Sequence, residues 1–386
     1  MVGHDMRVAG IRNVRRPGSG AKGASTVIAH DSVTGLGGAE RVLDAMFGMW
    51  PRAPLYTAVY RPAFQFASGE ACAVHVSPLQ RIPLPLQFLK PLFPWAFERF
   101  RLPPGVRLVL SSSSGYAKGI RSGGGAVHVS YVHTPLRRVW NPYHRAARRT
   151  AGGPPGRALE KVALAYLRRW DLASMARVDH IVVNSRNTAE QVRRIYGRET
   201  TVVHPPVRTE FFTPCSNGPG DYYLVVSRLD PYKRVDLAVR AAVGLGVRLV
   251  VVGDGVERRR LERLAGESAT FTGVVDDERL RALYRGCRAL LFPGEEDFGV
   301  APVEAQACGR PVVAFGAGGA LETVVDGETG ILFSEQTQPA LEAAIARFQC
   351  TRFDLAHIRA HALQFAEAAF RESLEALVRR ALPVLA

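Results

Sequence analysis

The chain contains no CxxC pair, and its five cysteines, at 72, 215, 287, 308 and 350, are odd in number and scattered. That pattern excludes zinc-ligand spacing and leads us to expect a reduced, cytoplasmic protein. No stretch of about 18 apolar residues runs uninterrupted, so no bilayer-spanning helix is expected and any membrane contact is peripheral. Lysine is scarce: Lys22, Lys90, Lys118, Lys161 and Lys233 stand against 45 arginines. RNP, KH and helix-turn-helix signatures are lacking, which argues against nucleic acid as a partner. What is abundant is positive charge, +15 formally with a pI near 10.1. Charge of that size suits nucleic acid, an anionic membrane face or phosphorylated small molecules, and an arginine bias also follows from genomic base composition.

At 386 residues and 47% hydrophobic, the chain has material for two domains with separate cores. Residues 1–25 read as a disordered basic leader. From 26 to 205, apolar strands at Val27–Ala29, Val106–Leu110, Ala126–Val132 and His180–Val183 alternate with helical stretches such as Ala158–Leu172 and Thr188–Tyr196. The Pro- and Gly-rich stretch 206–220 reads as a linker. Strands then restart at Tyr222–Val226, Val247–Val252, Ala269–Thr272, Ala289–Phe292, Pro311–Phe315 and Gly330–Phe333, giving a second domain over 221–350. Residues 351–386 read as a long closing helix. The fold class is therefore α/β, with two Rossmann-like doubly wound domains. Leu84–Phe100, aromatic and apolar beside Lys90, Arg99 and Arg101, reads either as an interfacial patch or, because of its prolines, as a buried or loop segment.

The most informative string is Glu296-Asp297-Phe298-Gly299-Val300-Ala301-Pro302-Val303-Glu304, two glutamates separated by seven residues. A strand leads in, Gly299 ends the loop, and Pro302 suits a helix's first turn, which places Glu304 early in that helix. Amides of Gly299 and Val300 then lie at a helix N-terminus that favours phosphate. Carboxylates accept paired hydrogen bonds from neighbouring hydroxyls, so two of them flanking such a helix end suit a sugar and a ribose; taken alone they are also two solvated acids near a turn. Ser227-Arg228-Leu229-Asp230-Pro231-Tyr232-Lys233-Arg234 follows the second domain's first strand, where open α/β sheets bind ligands. Its Arg228 and Lys233 straddle a turn and can converge on a diphosphate. In the first domain, Gly35-Leu36-Gly37-Gly38 follows strand one; Gly37 and Gly38 permit close backbone approach or make a plain tight turn. His133, at an apolar strand end, is structural or functional on its residue type alone. Asn184 and Ser185 face a ligand or cap the next helix. Gly253-Asp254-Gly255 serves chain geometry. Arg137, Arg138, Arg145, Arg148 and Arg149 form a basic cluster, suited to a phosphorylated lipid, an anionic membrane or simply water.

Together the Glu-x7-Glu string, its flank FGVAPVEAQACGRPVVAFGAGGALETV, SRLDPYKRVD, Gly-Gly-Ala-Glu at 37–40 and Tyr-Val-His-Thr-Pro at 131–135 resemble family 4 glycosyltransferases of the GT-B fold. This retaining group includes bacterial mannosyltransferases of polysaccharide and glycolipid assembly. The resemblance runs from about residue 26 to the C-terminus. It implies two domains facing across a cleft, a nucleotide-sugar donor and a carbohydrate acceptor, polyprenyl-diphosphate-linked or a glycolipid; Leu84–Phe100 and the arginines add peripheral attachment to the cytoplasmic face of an anionic membrane as an expectation. It implies that Arg228 and Lys233 bind the donor diphosphate, Glu304 the ribose and Glu296 the transferred sugar, with His133 beside that sugar. Gly37, Gly38, Phe298, Gly299 and Val300 complete the implied donor site. Likeness around HTPLRRVW and EAQACG points to GDP-mannose, with UDP-sugars as the alternative. No Asp-x-Asp pair exists to carry a divalent ion, so the expected chemistry needs no metal and no cofactor beyond the donor. Competing readings are a sugar-nucleotide epimerase, a phosphorylase, or a basic nucleic-acid-binding protein.

Overall fold

The computed structural model describes residues 25–35, 37–61, 65–68, 73–141, 154–216 and 218–382. Most of the basic leader, Leu36, Cys72, Arg145, Arg148, Arg149 and Asn217 lie outside them. Two parallel sheets organise the chain. The first has strands β1 (Thr26–His30), β2 (Leu55–Thr57), β3 (Val74–Val76), β4 (Leu108–Ser113), β5 (Val127–Val132), β6 (His180–Val183) and β7 (Thr201–Val202), in the order β3-β2-β1-β4-β5-β6-β7. The second has β8 (Tyr222–Val226), β9 (Arg248–Val252), β10 (Ala269–Gly273), β11 (Leu290–Phe292), β12 (Val312–Phe315) and β13 (Gly330–Phe333), in the order β10-β9-β8-β11-β12-β13. Each order reverses direction once, between β1 and β4 and between β8 and β11. Loops leaving the carboxyl ends of two such strands diverge and leave a crevice, the usual ligand position in open α/β sheets.

The two-sheet α/β architecture expected from the sequence is therefore present. Strands covered on both faces read as continuous apolar runs, and Tyr223, Leu224 and Val225 of β8 are each at most 1% exposed. One face of the second sheet packs Val235, Leu237 and Ala238 with Leu341 and Ile345; the other packs Tyr284, Val303, Ala305 and Ala320. By contacts the chain divides into two compact units, one running to Ser130 and including Arg169–His180, the other formed by Tyr131–Arg168 with Ile181–Pro383.

Three strands escaped the sequence reading, β2, β3 and β7, because two or three residues are too few to establish an alternation. The long closing helix is two helices, Leu355–Leu363 and Glu367–Ala381. The break occurs where Phe365, 2% exposed, turns into the core and its carbonyl accepts from Val207 N at 3.0 Å. Leu84–Phe100 resolves into a helical run, Leu86–Leu89, Lys90–Leu92 and Phe93–Arg99. Among the described residues no helix is long and apolar enough to cross a membrane.

In the first unit polar groups are buried in pairs. Lys118 Nζ lies 2.6 Å from Asp171 Oδ1, both essentially inaccessible to solvent. His128 Nε2 sits 2.9 Å from Ser111 Oγ, which bonds Ser130 Oγ at 2.8 Å. Burial pushes the His128 imidazole down to about 4; Asp179 opposes that shift and Arg177 adds to it. The unfolded chain takes up this proton near the usual 6.5, the folded chain only near 4. Stability is therefore lost as pH falls through that window. We expect the urea midpoint of the wild type to drop between pH 7 and pH 4.5 by more than that of His128→Gln; equal drops would show that the imidazole titrates normally.

Candidate functional site

Charged side chains converge at the switch point of the second sheet. The loop after β8 makes one 3-10 turn, Pro231–Lys233, and enters the helix Val235–Leu245 through Arg234. Arg234 has φ 52°, the sole described non-glycine residue with positive φ, a conformation that persists only where surrounding contacts impose it. Those contacts are Asp236 at 3.2 Å and Gln336 at 3.2 Å, and Gln336 also donates to the Pro293 carbonyl at 2.9 Å. One glutamine thus fastens the β8 loop to the β11 loop. Gly294 lets the two backbones touch, since a Cβ there would lie 2.8 Å from Lys233 O.

Held in this way, Lys233 Nζ forms an ion pair with Glu296 Oε1, the two side chains only 11% and 25% exposed. They line a small hollow with Ser227, Phe292, Pro293 and Gly294 at the carboxyl ends of β8 and β11. Arg228 is more open at 71% side-chain exposure; it donates to Tyr232 Oη at 2.9 Å and stands 3.7 Å from Asp230. Gly299, at φ 91°, opens the helix Val300–Ala307. Glu304 lies in that helix, 4% exposed, and accepts a 2.8 Å hydrogen bond from Tyr284 Oη. Phe298 turns inward, its ring among His204 and Phe365.

The acidic loop is braced on two further sides. Asp297 accepts from Arg137 Nη2 at 2.5 Å and from Gln191 Nε2 at 3.0 Å, contacts that all lie within the second unit. Burial pulls the Arg137 guanidinium down, but Asp297, Tyr232 and Glu296 outweigh it and hold the charge more firmly than usual. Gly319 N donates to Glu296 O at 2.8 Å, and a Cβ on Gly319 would meet Phe298 Cα at 2.2 Å.

His133 is 9% exposed; its ring stands edge-on to Tyr131 at 5.1 Å and its carbonyl accepts from Asn184 Nδ2 at 3.0 Å. Ser185, rather than Asn184, caps the helix Arg186–Tyr196, accepting from Thr188 N at 2.9 Å. That helix's first amides, Arg186 N and Asn187 N, donate to Glu322, which also bonds His204 at 3.2 Å. Burial alone would raise the Glu322 carboxyl; the His204 bond and the two amides hold it below the usual range. Gly37 and Gly38 belong to the first unit. Gly37 caps the helix Gly38–Met49, its amide donating to Glu40 Oε2 at 3.0 Å. At that unit's own switch point, Asp31 after β1 accepts from the amides of Ser114, Tyr116 and Ala117 after β4 at 3.1, 3.0 and 2.5 Å. Burial nevertheless leaves the Asp31 carboxyl above its usual value.

Tyr284, Gln191 and Gln336 were invisible to sequence reasoning: each acts across the fold on a partner with no fixed spacing. Asp297 stood inside the quoted string, yet only its two partners distinguish it from a solvated acid. Among the described residues no group of three His, Cys, Asp or Glu side chains converges as a metal site.

Comparison with known proteins bears on this geometry. The family model described as Glycosyltransferase Family 4 matches residues 36–211, and that described as Glycosyl transferases group 1 matches residues 207–352. A D-inositol 3-phosphate glycosyltransferase of Acidothermus cellulolyticus is 32% identical over 227 residues, 50% of this chain and 51% of that protein. Its namesake in Mycobacteroides abscessus is 36% identical over 179 residues, 40% of each chain. The chain thus spans about half the length of the curated relatives it matches. Among solved structures, sucrose-phosphate synthase from Thermosynechococcus elongatus superimposes with a TM-score of 0.72 at 22% identity, covering 92% of this chain and 99% of that one. HepE of Anabaena, in complex with UDP and glucose, gives 0.69 at 19% identity with the same coverage.

The close approach at Gly319 predicts a sharp difference between neighbouring glycines. Gly319→Ala must displace the Phe298 backbone and is expected to cost about 1–3 kcal/mol in urea denaturation. Gly316→Ala, whose Cβ would meet nothing nearer than 3.4 Å, is expected to stay within about 0.5 kcal/mol. Equal small losses would show that the Glu296 loop yields freely.

Proposed function

The chain is a family 4 glycosyltransferase of the GT-B fold, and from that premise we propose that it moves a hexose from a nucleotide-sugar donor, with retention at the anomeric carbon and without a metal ion, to a carbohydrate acceptor. The observation that carries this reading is the Lys233–Glu296 ion pair at the second sheet's switch point. A sugar nucleotide presents a diphosphate flanked by two polyols. Lys233 supplies a cation for the first, with Arg228 beside it on the same loop, and Glu296 and Glu304 supply carboxylates for the second.

As the glycosidic bond breaks, negative charge grows on the departing nucleoside diphosphate, and prepositioned cations stabilise that charge without reorganising at the moment of reaction. Lys233 is the better placed of the two, because Gly294 packs on its backbone and Gln336 holds the next residue, Arg234, while Arg228 remains exposed. The roles follow the resemblance: Glu296 holds hydroxyls of the transferred sugar, Glu304, steadied by Tyr284, holds the ribose, and His133 stands beside the sugar. Amides of Gly299 and Val300 face the phosphates at the helix start, with Phe298 shaping the loop from within.

For the donor we propose GDP-mannose, on the likeness around HTPLRRVW and EAQACG, and for the acceptor a polyprenyl-diphosphate-linked saccharide or a glycolipid, met at the cytoplasmic side of a membrane. The HepE complexes with UDP and glucose support a UDP-sugar as the second reading.

A ligand that binds the native state raises its apparent stability. Purified protein screened by thermal shift against GDP, UDP, ADP and their sugar conjugates, with no added metal, is expected to respond to GDP-mannose and GDP. Selective response to UDP ligands would move the donor to the second reading, and no response at millimolar ligand would remove the donor site. A charge-assisted hydrogen bond contributes roughly 1.5–3 kcal/mol, and about 1.36 kcal/mol is tenfold in rate. Lys233→Ala is accordingly expected to lose on the order of ten- to a hundredfold in kcat/KM; wild-type turnover would unseat Lys233. Activity is expected to survive EDTA, and its abolition would establish a metal requirement.

A further inference from the structure

We propose that the helical run Leu86–Arg99 is a docking surface for an anionic lipid bilayer. Its inner stripe is ordinary core: Leu89, Phe93, Ala96 and Phe97 are all at most 2% exposed. An amphipathic surface helix carries polar residues opposite such a stripe. Here the opposite stripe is apolar too, with Leu84, Phe88, Leu92 and Trp95 at 48%, 61%, 47% and 39% exposure. Their spacing of four, four and three residues places Phe88, Leu92 and Trp95 on one helical face.

The charge around this stripe selects its occupant. Lys90 and Arg99 flank it and Arg81 and Arg101 stand at its ends, all four exposed, and the Arg99 guanidinium lies 4.9 Å over the Trp95 ring. Glu98 is the one carboxylate between residues 81 and 101. It is already engaged, accepting from Trp170 Nε1 at 3.0 Å and from Arg177 at 3.3 Å, with Arg121 at 3.6 Å. A second copy seated on this face by two-fold symmetry would bring the same cations against one another without a complementary acid. An anionic bilayer offers hydrocarbon for the stripe and negative charge for its rim. At 1.5 Å per residue the run is too short to span a bilayer, and its inner stripe is already committed, so it lies flat. Trp95, with Arg99 over its ring, sits at headgroup level, where tryptophan is favoured.

The test uses the full chain and measures no transfer activity, so its outcome is independent of the donor reading. Co-sedimentation with vesicles of phosphatidylcholine and phosphatidylglycerol, against phosphatidylcholine alone, is expected to show binding to the anionic vesicles that weakens with salt. The double variant Phe88→Ser, Trp95→Ser is expected to lower that binding by about tenfold or more, with a circular-dichroism melt matching the wild type. Lipids brominated along the acyl chain are expected to quench wild-type tryptophan fluorescence, and Trp95→Phe to lose most of that quenching. Unchanged binding in the double variant would overturn the proposal by showing that charge elsewhere in the chain is sufficient. So would a concentration-dependent wild-type dimer that the double variant abolishes, which would make a second copy the occupant.

Discussion

The hollow at the carboxyl ends of β8 and β11 depends on keeping one cation and one anion close together. Lys233 and Glu296 come from loops some sixty residues apart in sequence, and adjacent strands of a parallel sheet bring them together. Opposite charges at partial burial attract more strongly than in open water, but the attraction cannot by itself hold two flexible loops in register. The backbone does that work. Gly294 packs on Lys233, Gly319 packs on Phe298, and Gln336 bridges Arg234 and Pro293. The ion pair is consequently a product of the scaffold, which holds the cation and the anion in place together.

The same logic explains why so many of the bracing residues are amides, tyrosines and glycines. Burying a lone charge weakens its charged form, so the buried carboxylates Glu304 and Asp31 keep hydrogen-bond donors around them. Anchoring of the acidic loop falls to neighbours whose hydrogen bonds go to atoms other than those of the Lys233–Glu296 ion pair. Tyr284 steadies Glu304 from within the core, and Asp297 accepts from Arg137 and Gln191 while Glu296 faces Lys233. The first unit uses a related device, with the buried Asp31 carboxylate gathering three amides of the chain that follows β4.

Compositional charge takes on different meanings in different places. Lys118 is buried against Asp171 and serves the interior. Lys233 serves the hollow beside Glu296. Lys90 lies beside an apolar stripe that faces water. With only five lysines in the chain, these three assignments show that the excess of positive charge has no single purpose.

The sequence by itself determined the architecture and the chemistry-bearing strings. Continuous apolar runs between helical segments specified two parallel sheets, because strands buried on both faces leave a signal that needs no knowledge of partners. The Glu-x7-Glu string and the SRLDPYKRVD loop were legible for a related reason: a strand, a turn and a helix start are local, and their side chains keep fixed offsets. Tertiary structure alone decided the rest. It set the pairing of Lys233 with Glu296, the anchoring of Glu304 by Tyr284, the inward turn of Phe298, and the break at Phe365 that divides the closing helix. It also decided that Leu84–Phe100 has two apolar faces, of which the core takes one. Each of these depends on which distant backbone lies opposite, and no local spacing in the chain encodes that.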